Sequence, residues 1–306
     1  MSSTLLQQLI NALGLGAMYS LIAVGFTLFF GVIEVINFAH GEVFMLGAFA
    51  AMLAGTTLVS LGVAGASPLV LIASFLAVIA IGAVFGILLE KLIVAPMRGA
   101  PDIMTLLITV GASIVIREAV QLFLPNGRNP QPFPELISLP SISVAGALIK
   151  PEILATILVA AILIFAMHYF IEDSAYGRYI RATAQDREAA MMMGVNVKKV
   201  FLLTMIIGSV LGSCAGMMNG MCYGIIKFDM GFIASIKGFA AAVIGGLGNI
   251  YGAVVGGLLL GFMEIFVVSF LQEGSTYQGL ISFLLMIVFL VFKPTGLFGE
   301  KVYEKV

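Results

Sequence analysis

Long apolar runs limit this chain more than any other feature of its sequence. The segments 69–89 and 153–171, for example, contain no Asp, Glu, Lys or Arg. Runs of about 18 or more apolar residues are long enough to cross a lipid bilayer as helices. Because 61% of the residues are hydrophobic and only 10% are charged, the chain carries more apolar surface than a soluble core can bury. The sequence therefore predicts an all-α, polytopic membrane protein.

Candidate spans follow one another along the chain and are bounded by charges, glycine or proline. They lie at 10–33, 42–61, 68–90, 102–124, 152–171, 199–222, 232–248, 250–271 and 277–293. Ten of the 15 Lys and Arg residues cluster in three places, which the positive-inside rule assigns to the cytoplasm. These are Lys91 and Arg98; Arg178, Arg181, Arg187, Lys198 and Lys199; and Lys293, Lys301 and Lys305.

The number of spans follows from these charges. An uncharged N-terminus outside and a basic, cytoplasmic C-terminus require an odd number of crossings, which the nine candidate spans satisfy. Eight spans would follow if one weak segment does not cross. The weak segments are 34–48, which polar residues interrupt, and 232–248, which is short and ends in Gly245-Gly246-Leu247-Gly248-Asn249. We expect a single transmembrane domain over residues 1–306, a bundle of eight or nine spans with broken or short helices.

The first weak segment contains the hexamer Asn37-Phe38-Ala39-His40-Gly41-Glu42. Polar groups at membrane depth are costly, so they usually face the interior of a bundle or a watered cavity. Interrupted helices in the two halves of a transporter indicate a central pathway. Two roles remain open for the hexamer: its side chains satisfy the backbone freed by a helix break, or they line the pathway. The spacing HExxH is missing, so neither a metal site nor a catalytic site is predicted.

A buried acid and a row of glycines add to the candidate pathway. Glu264 lies near the middle of an apolar span, so we expect it beside a specific partner, with Lys237 and Glu42 as the candidates. Glycine recurs at every fourth residue from 208 to 224, and this spacing predicts tight packing against one crossing helix. The candidate pathway residues are Asn37, His40, Gly41, Glu42, Lys237, Gly245, Gly246, Gly248 and Glu264.

The one long charged stretch, residues 172–199, should form a cytoplasmic loop between two spans. Thr183 and Asp186 have the spacing of a capping box, with Asp in place of the usual Glu or Gln, and Gly194 is a natural helix stop. We expect a short amphipathic helix over about 184–193, along the membrane surface. Such a helix is either a solvated connector or a docking element for a partner protein. The residues that would serve a partner are Arg187, Glu188, Ala189, Ala190, Met193 and Gly194.

Missing motifs and the overall charge exclude several functions. The chain has no GxxxxGK[ST] sequence and therefore cannot form the phosphate-binding loop of an ATPase, and it has no GxSxG sequence. It is predicted not to be an enzyme and to need no cofactor of its own; ATP and Mg²⁺ would be used by another polypeptide. A net charge of −1 without a basic tail argues against nucleic acid as a partner. The first ten residues lack Lys and Arg, so we expect the first apolar segment to be retained as a helix.

Several motifs together resemble a known family. They are GAMYSLIAVGFTLFFGV at 16–32, INFAHGE at 36–42, APMR at 95–98, GRYIRATAQDREAAMMMGVN at 177–196, KGFAAAVIGGLGNIYGAVVGGLLLG at 237–261 and KPTGLFG at 293–299. Through essentially its whole length the chain resembles the permeases of branched-chain amino-acid ABC importers, and among them the smaller, LivH-like permease.

This resemblance implies a type II importer fold in a bacterial inner membrane, with many helices around a central path. It implies a complex, surrounded by membrane lipid, with a second homologous permease, two ATP-binding subunits and a periplasmic substrate-binding protein. Carried onto this chain, Glu188-Ala189-Ala190 with Gly194 marks the cytoplasmic EAA loop that couples a permease to its ATPase. The hexamer would be a broken-helix element near the path. The chain would then form half of the translocation path for branched-chain or other hydrophobic amino acids.

Departures from the family pattern and alternative functions remain. Glu34 stands where relatives commonly have glycine or another small residue, and Tyr251 where many have proline. Glu34 would either face the cytoplasmic end of the path or be solvated. Similar permeases also serve urea, short amides and other small polar compounds. An ion-coupled secondary transporter, with His40, Glu42 and Glu264 as proton-coupling groups, is a further alternative, and it would not need an EAA loop.

Overall fold

The computed structural model describes residues 2–270 and 274–299, and most of them are helical. The α-helices are α1 (Ser2–Ile33), α2 (His40–Ser60), α3 (Pro68–Leu89), α4 (Asp102–Phe123), α5 (Pro151–Asp173), α6 (Ala175–Gln185), α7 (Arg187–Met192), α8 (Val197–Tyr223), α9 (Met230–Gly245), α10 (Ile250–Phe270) and α11 (Gly274–Phe292). A π-helical turn (Glu90–Val94) and a 3-10 turn (Ala95–Met97) continue α3. Lys301 and Lys305, on which part of the predicted cytoplasmic C-terminus rests, lie outside the described residues.

Every predicted span is a helix, so the prediction of an all-α bundle is confirmed. Within the described residues, seven helices are long and apolar enough to cross a membrane, namely α1, α2, α3 extended to Met97, α4, α5, α8 and α10. The apolar helices α9 and α11 are shorter. Short helices among long ones are what the sequence predicted for a bundle of eight or nine segments.

The first helix forms the core of the bundle. In the most apolar stretch of α1, 89% of the residues are buried, a larger share than in any other span of the described part of the chain. α1 packs against α8, α9 and α10. Gly257 and Gly261 of α10 lie against Ser20 and Gly16 of α1. Small residues at a helix interface let two backbones approach closely, which strengthens van der Waals contact inside a membrane.

A break separates α1 from α2 and returns the chain into the bundle. Residues 34–39 are not helical, and α2 begins at His40. The His40 ring packs against the rings of Phe26 and Phe29, whose centroids both lie 5.0 Å away. At 1.5 Å per helical residue, these rings lie roughly 6 to 10 Å before the end of α1. The broken element expected near the hexamer is therefore present, and α2 begins beside the last two turns of α1.

The glycine row on α8 packs tightly, as predicted, but the prediction of one crossing partner is wrong. Its members meet different elements in turn: Gly208 lies against the Phe29 ring of α1, Gly212 against the His40 ring, Gly216 against the backbone of Phe44 in α2, and Gly220 against the Phe133 ring. The row winds around α8 because four residues exceed one helical turn. It therefore forms a groove that receives α1, α2 and the loop containing Phe133.

The proline-rich segment 125–151 contains regular structure. It carries three of four short strands: β1 (Gln131–Pro132) pairs antiparallel with β4 (Ile225–Ile226), and β2 (Ile142–Val144) with β3 (Ala147–Ile149). Phe133 and Leu136 are buried against the outer ends of the helices. Their apolar side chains hold the loop down, and proline content alone does not reveal this contact.

Candidate functional site

The charged stretch folds into two consecutive helices that meet at Asp186. The Oδ1 of Asp186 accepts a hydrogen bond from the Ala189 amide at 2.9 Å, so Asp186 is the N-cap of α7. The predicted capping box is wrong, because Thr183 is buried inside α6 and its Oγ1 donates to the Tyr179 carbonyl at 2.8 Å. The short helix therefore begins at Arg187 rather than near residue 184.

Gly194 ends the short helix, as predicted. Its φ is +82°, and its amide donates to the Met191 carbonyl at 3.0 Å. The left-handed region favours glycine at this position after a helix. An added Cβ would meet no described atom within 4 Å, so backbone conformation rather than space selects glycine here.

One side of α7 is open, and the other is occupied by this chain. Met192 and Met193 are 89% and 84% exposed. Ala190 is only 4% exposed and packs within the chain, so its side chain is not offered to a partner. The exposed set, called the α7 surface below, comprises Glu188, Ala189, Met191, Met192 and Met193. Met191 and Met192 were missed from the sequence, although three consecutive methionines in a charged loop were a signal.

Arg187 ties α7 to the end of α1. Its Nη2 lies 3.1 Å from Oε2 of Glu34, and it also donates to the Val32 carbonyl at 3.4 Å. Glu34 therefore contacts α7, although its side chain is 72% exposed, and the role of Arg187 toward a partner stays a prediction. Three contacts hold this guanidinium, since its Cζ also lies 5.3 Å from the centroid of the Phe201 ring.

A second guanidinium lies on the same aromatic ring. The Cζ of Arg98 is 4.9 Å from the Phe201 centroid, and Arg98 forms an ion pair with the buried Glu90 of the π-helical turn. Partial burial, followed by the neighbouring charge of Arg187, lowers the pKa of Arg98 from its ordinary value. The ends of α1, α3 and α8 thus meet α7 at one cluster of charges around a single ring.

The polar residues of the hexamer lie inside the bundle. The Oδ1 of Asn37 accepts a hydrogen bond from the Ala39 amide at 3.1 Å, so one polar atom satisfies the broken backbone. Among the residues that the structure describes, Asn37 Nδ2 and both ring nitrogens of His40 have no hydrogen-bond partner. Buried polar atoms are normally paired. Asn37 Oδ1 therefore satisfies the backbone of the break, as the first of the two open roles requires, whereas Asn37 Nδ2 and the His40 ring do not.

Gly41 and Glu42 connect the break to α9 and α4. The Gly41 amide donates to Ser235 Oγ at 3.0 Å, and Ser235 Oγ donates to the Phe38 carbonyl at 2.8 Å. Glu42 is fully buried, and its Oε1 accepts from Ser113 Oγ at 2.8 Å. Glu42 is therefore not the neighbour of Glu264 that the sequence had left as one option.

Sequence reasoning missed a polar stripe on α4. Thr105, Thr109, Ser113 and Arg117 recur at every fourth residue, which places them on one face of a helix. Thr105, Thr109 and Ser113 are at most 4% exposed, and Thr109 Oγ1 lies 3.4 Å from the Ile36 carbonyl. The stripe thus faces the break and supplies the hydrogen bond to Glu42. The regular spacing was the available signal.

Glu264 is buried beside Lys237, which confirms one of the two predicted pairings. Lys237 Nζ lies 2.8 Å from Glu264 Oε2, and Tyr19 donates to the same oxygen at 2.8 Å. Gln278 and Ser282 of α11 also donate to this carboxylate. Four donors therefore reach this carboxylate, three at Oε2 and Ser282 at Oε1, and the cluster joins α1, α9, α10 and α11.

The glycines near residue 245 lie in the turn between α9 and α10. Gly246 and Gly248 have φ values of +111° and +91°. The carbonyls of Ile244 and Gly245 accept hydrogen bonds from the amides of Leu297 and Phe298, both at 2.9 Å. Gly246 therefore makes room for the backbone of the segment after α11, whereas Gly248 lies nearest to the backbone of Gly31 in α1.

Comparison with known proteins agrees with this architecture. Residues 8–290 match the family described as branched-chain amino acid transport system / permease component. The high-affinity branched-chain amino acid transport system permease protein BraD of Pseudomonas aeruginosa is 38% identical over 303 residues, which cover 98% of each chain. The corresponding permease protein LivH of Escherichia coli K12 is 35% identical over 312 residues, covering 98% of this chain and 97% of LivH.

A solved structure has the same overall fold. PsaBC from Streptococcus pneumoniae, determined in complex with a Fab, superposes with a TM-score of 0.50 at 13% identity. The alignment covers 95% of this chain and 92% of that chain. At this identity the similarity shows the fold alone.

Proposed function

Because the chain belongs to the family of branched-chain amino acid transport system permease components, we propose that it is a membrane-spanning subunit of an ATP-driven importer of branched-chain amino acids. It lies in a bacterial inner membrane and forms half of the path. A second homologous permease supplies the other half, two ATP-binding subunits supply the energy, and a periplasmic binding protein selects the substrate.

One observation carries this proposal. Relatives named as branched-chain amino acid permeases are 35% to 38% identical to this chain over 98% of its length. Such similarity spans the hexamer, the charged stretch and the segment after α11, rather than one motif. The same breadth favours branched-chain amino acids over urea or short amides as the substrate.

The α7 surface is the part of the chain that suits an ATPase partner. Met192 and Met193 are almost fully exposed, although methionine is an apolar side chain that adapts to the shape of a partner. The adjoining Glu188 adds a charge at its edge. A capped, glycine-terminated helix presents these residues in a defined orientation, whereas a solvated connector would not need three exposed methionines.

The break between α1 and α2 suits a position near the path. His40 and Glu42 are buried at membrane depth, and the structure pairs neither His40 nor Asn37 Nδ2 within its described residues. Polar groups at that depth are costly unless a bundle interior or a pathway accommodates them. We place the α7 surface in the cytoplasm and the loop 125–151 outside, in accord with the positive-inside rule.

A test uses the left-handed glycine that ends α7 and a matched glycine elsewhere. Gly194 and Gly62 have φ values of +82° and +88°, and at both an added Cβ would meet no described atom within 4 Å. Valine at either position imposes the same backbone strain. The tagged chain is co-expressed with its ATP-binding subunits and purified in detergent, and the recovered ATPase activity is measured.

We expect the parent chain and Gly62→Val to recover the ATPase, and Gly194→Val to recover about tenfold less at equal membrane insertion. Purified parent complex, with its binding protein, should transport leucine in vesicles only when ATP is supplied. A lone chain that takes up solute under an ion gradient, without any ATPase, would instead establish the secondary transporter.

A further inference from the structure

We propose that Arg187 and Glu34 form the joint through which movement of α7 reaches the break between α1 and α2. The inference rests on the proposed function, because it assumes that an ATPase moves α7. Both residues would be positioning residues: neither has to contact the transported solute. The proposal follows from the contacts of Arg187, the backbone of Glu34, and the chain that continues from Glu34 into the bundle.

The contacts of Arg187 tie α7 to the end of α1. Nη2 reaches the Glu34 carboxylate at 3.1 Å and the Val32 carbonyl at 3.4 Å, so a single guanidinium holds both sides of the point where α1 ends. Val32 lies in the last turn of α1, and Glu34 is the first residue of the break. A shift of α7 would therefore act on both at once.

The backbone conformation of Glu34 does not favour a glutamate side chain at this position. Glu34 has φ +60°, a left-handed conformation in which glycine costs least, and its amide donates to the Phe30 carbonyl at 3.0 Å. The side chain is 72% exposed, so burial does not explain it either. The contact that this carboxylate makes within the described chain is the ion pair with Arg187.

The Phe201 ring gives the joint a fixed support. Arg187 and Arg98 both lie on this ring, and each guanidinium has its own carboxylate, Glu34 for Arg187 and Glu90 for Arg98. The paired charges cancel, and the guanidinium–aromatic contacts restrict where Arg187 can lie. The ring at the start of α8 therefore holds the Arg187 guanidinium beside Glu34.

The chain beyond Glu34 leads directly to the buried polar groups. Val35 and Ile36 belong to no helix or strand, and the next residues, Asn37 and Phe38, bond the break to itself and to Ser235 of α9. Because only two residues separate Glu34 from these hydrogen bonds, a displacement of Glu34 reaches them along a short length of backbone. The path from the cytoplasmic surface to the break is thus continuous.

The experiment measures how many leucine molecules are transported per ATP hydrolysed by the reconstituted complex. Exposed ion pairs contribute little to folding stability, so Glu34→Gln and Arg187→Gln should insert and fold like the parent. The control is Glu172→Gln, since Glu172 pairs with Arg181 at 3.3 Å at the end of α5, and the side chain of Arg181 is 40% exposed against 36% for Arg187.

We expect Glu34→Gln and Arg187→Gln each to lower the transport-to-hydrolysis ratio about threefold or more, while the ATPase still co-purifies. The double variant should be no worse than Arg187→Gln alone, because Arg187→Gln already removes the ion pair that Glu34→Gln removes. Exchanging the charges, with Glu34→Arg and Arg187→Glu together, should recover much of the ratio. Glu172→Gln should match the parent.

A second variant removes the side chain without straining the backbone. Glu34→Gly suits the left-handed conformation, so its thermal midpoint should equal or exceed that of the parent while the transport ratio falls as in Glu34→Gln. Parent-like ratios in Glu34→Gln and Glu34→Gly would overturn the joint and leave the proposed function intact. If the parent itself neither binds an ATPase nor transports with ATP, the proposed function fails first.

Discussion

At the scale of single residues, buried ionisable groups differ in whether they have hydrogen-bond partners: the His40 ring has none among the described residues, whereas Glu264 has four. Glu264 accepts hydrogen bonds from Lys237, Tyr19, Gln278 and Ser282, and its side chain is fully buried. Breaking a buried ion pair by removing one partner is costly, because the other charge stays behind without compensation. The cluster should therefore act as a structural bond between helices rather than as a mobile charge.

The first prediction concerns this cluster. Glu264→Gln keeps the size of the side chain but leaves the Lys237 ammonium facing a neutral amide. We expect a loss of about 3 kcal/mol of stability, measured by thermal unfolding of the purified protein in detergent. The matched control, Glu118→Gln, changes a carboxylate with a side chain 51% exposed and should stay within about 0.5 kcal/mol of the parent. Equal stability of the two variants would contradict the structural role.

At the scale of elements, glycine spacing on α8 decides how the first two helices pack. An added Cβ at Gly216 would overlap the backbone of Phe44, which cannot move like the tip of a side chain. The same row holds Gly212 against the His40 ring, so it also fixes where α2 begins. Tight packing in this groove is thus coupled to the position of the break.

The second prediction compares two helix glycines of opposite surroundings. Gly216→Ala should destabilise the protein by about 1 to 3 kcal/mol, because the groove is already filled. Gly111→Ala in α4, where an added Cβ meets nothing described within 4 Å, should be neutral or stabilising, since alanine favours helix. Thermal unfolding of both variants checks this, and a destabilised Gly111→Ala together with an unaffected Gly216→Ala would refute the packing account.

At the scale of the whole molecule, the α7 surface and the loop 125–151 lie at opposite ends of α5. The α7 surface follows α5, whereas Leu139 belongs to the loop that precedes it; both Met192 and Leu139 are exposed, at 89% and 67%. A single crossing by α5 therefore separates them. Because α5 is long and apolar enough to cross a membrane, we predict that the α7 surface and the loop 125–151 lie on different sides of it.

The third prediction tests that arrangement. In a chain whose Cys214 and Cys222 are replaced by alanine, Met192→Cys should react with an impermeant thiol reagent only from the cytoplasmic side. Leu139→Cys should react only from outside. Intact cells and inverted vesicles give the two measurements, and labelling of both positions from the same side would mean that α5 does not cross the membrane.

The sequence by itself determined that the chain is a membrane protein, where its helices lie, and that the charged stretch contains a short helix. Each of these predictions rests on a local signal: the hydrophobicity of a span, the charges between spans, or the glycine at position 194. Such a signal does not depend on which other helix packs against the segment. The α4 stripe was readable in the same way and was overlooked. Local signals failed at Thr183, because a competing cap at Asp186 lay close by and burial decided between them.

Only the tertiary structure decided which distant residues meet. Tyr19 and Glu264 are 245 positions apart, and Arg187 and Val32 are 155 apart, yet each pair shares a hydrogen bond. Such pairings depend on how whole helices cross, and every apolar span offers several crossings that look alike in sequence. The winding glycine groove, the buried outer loop and the contact between α7 and the break therefore became visible only in three dimensions.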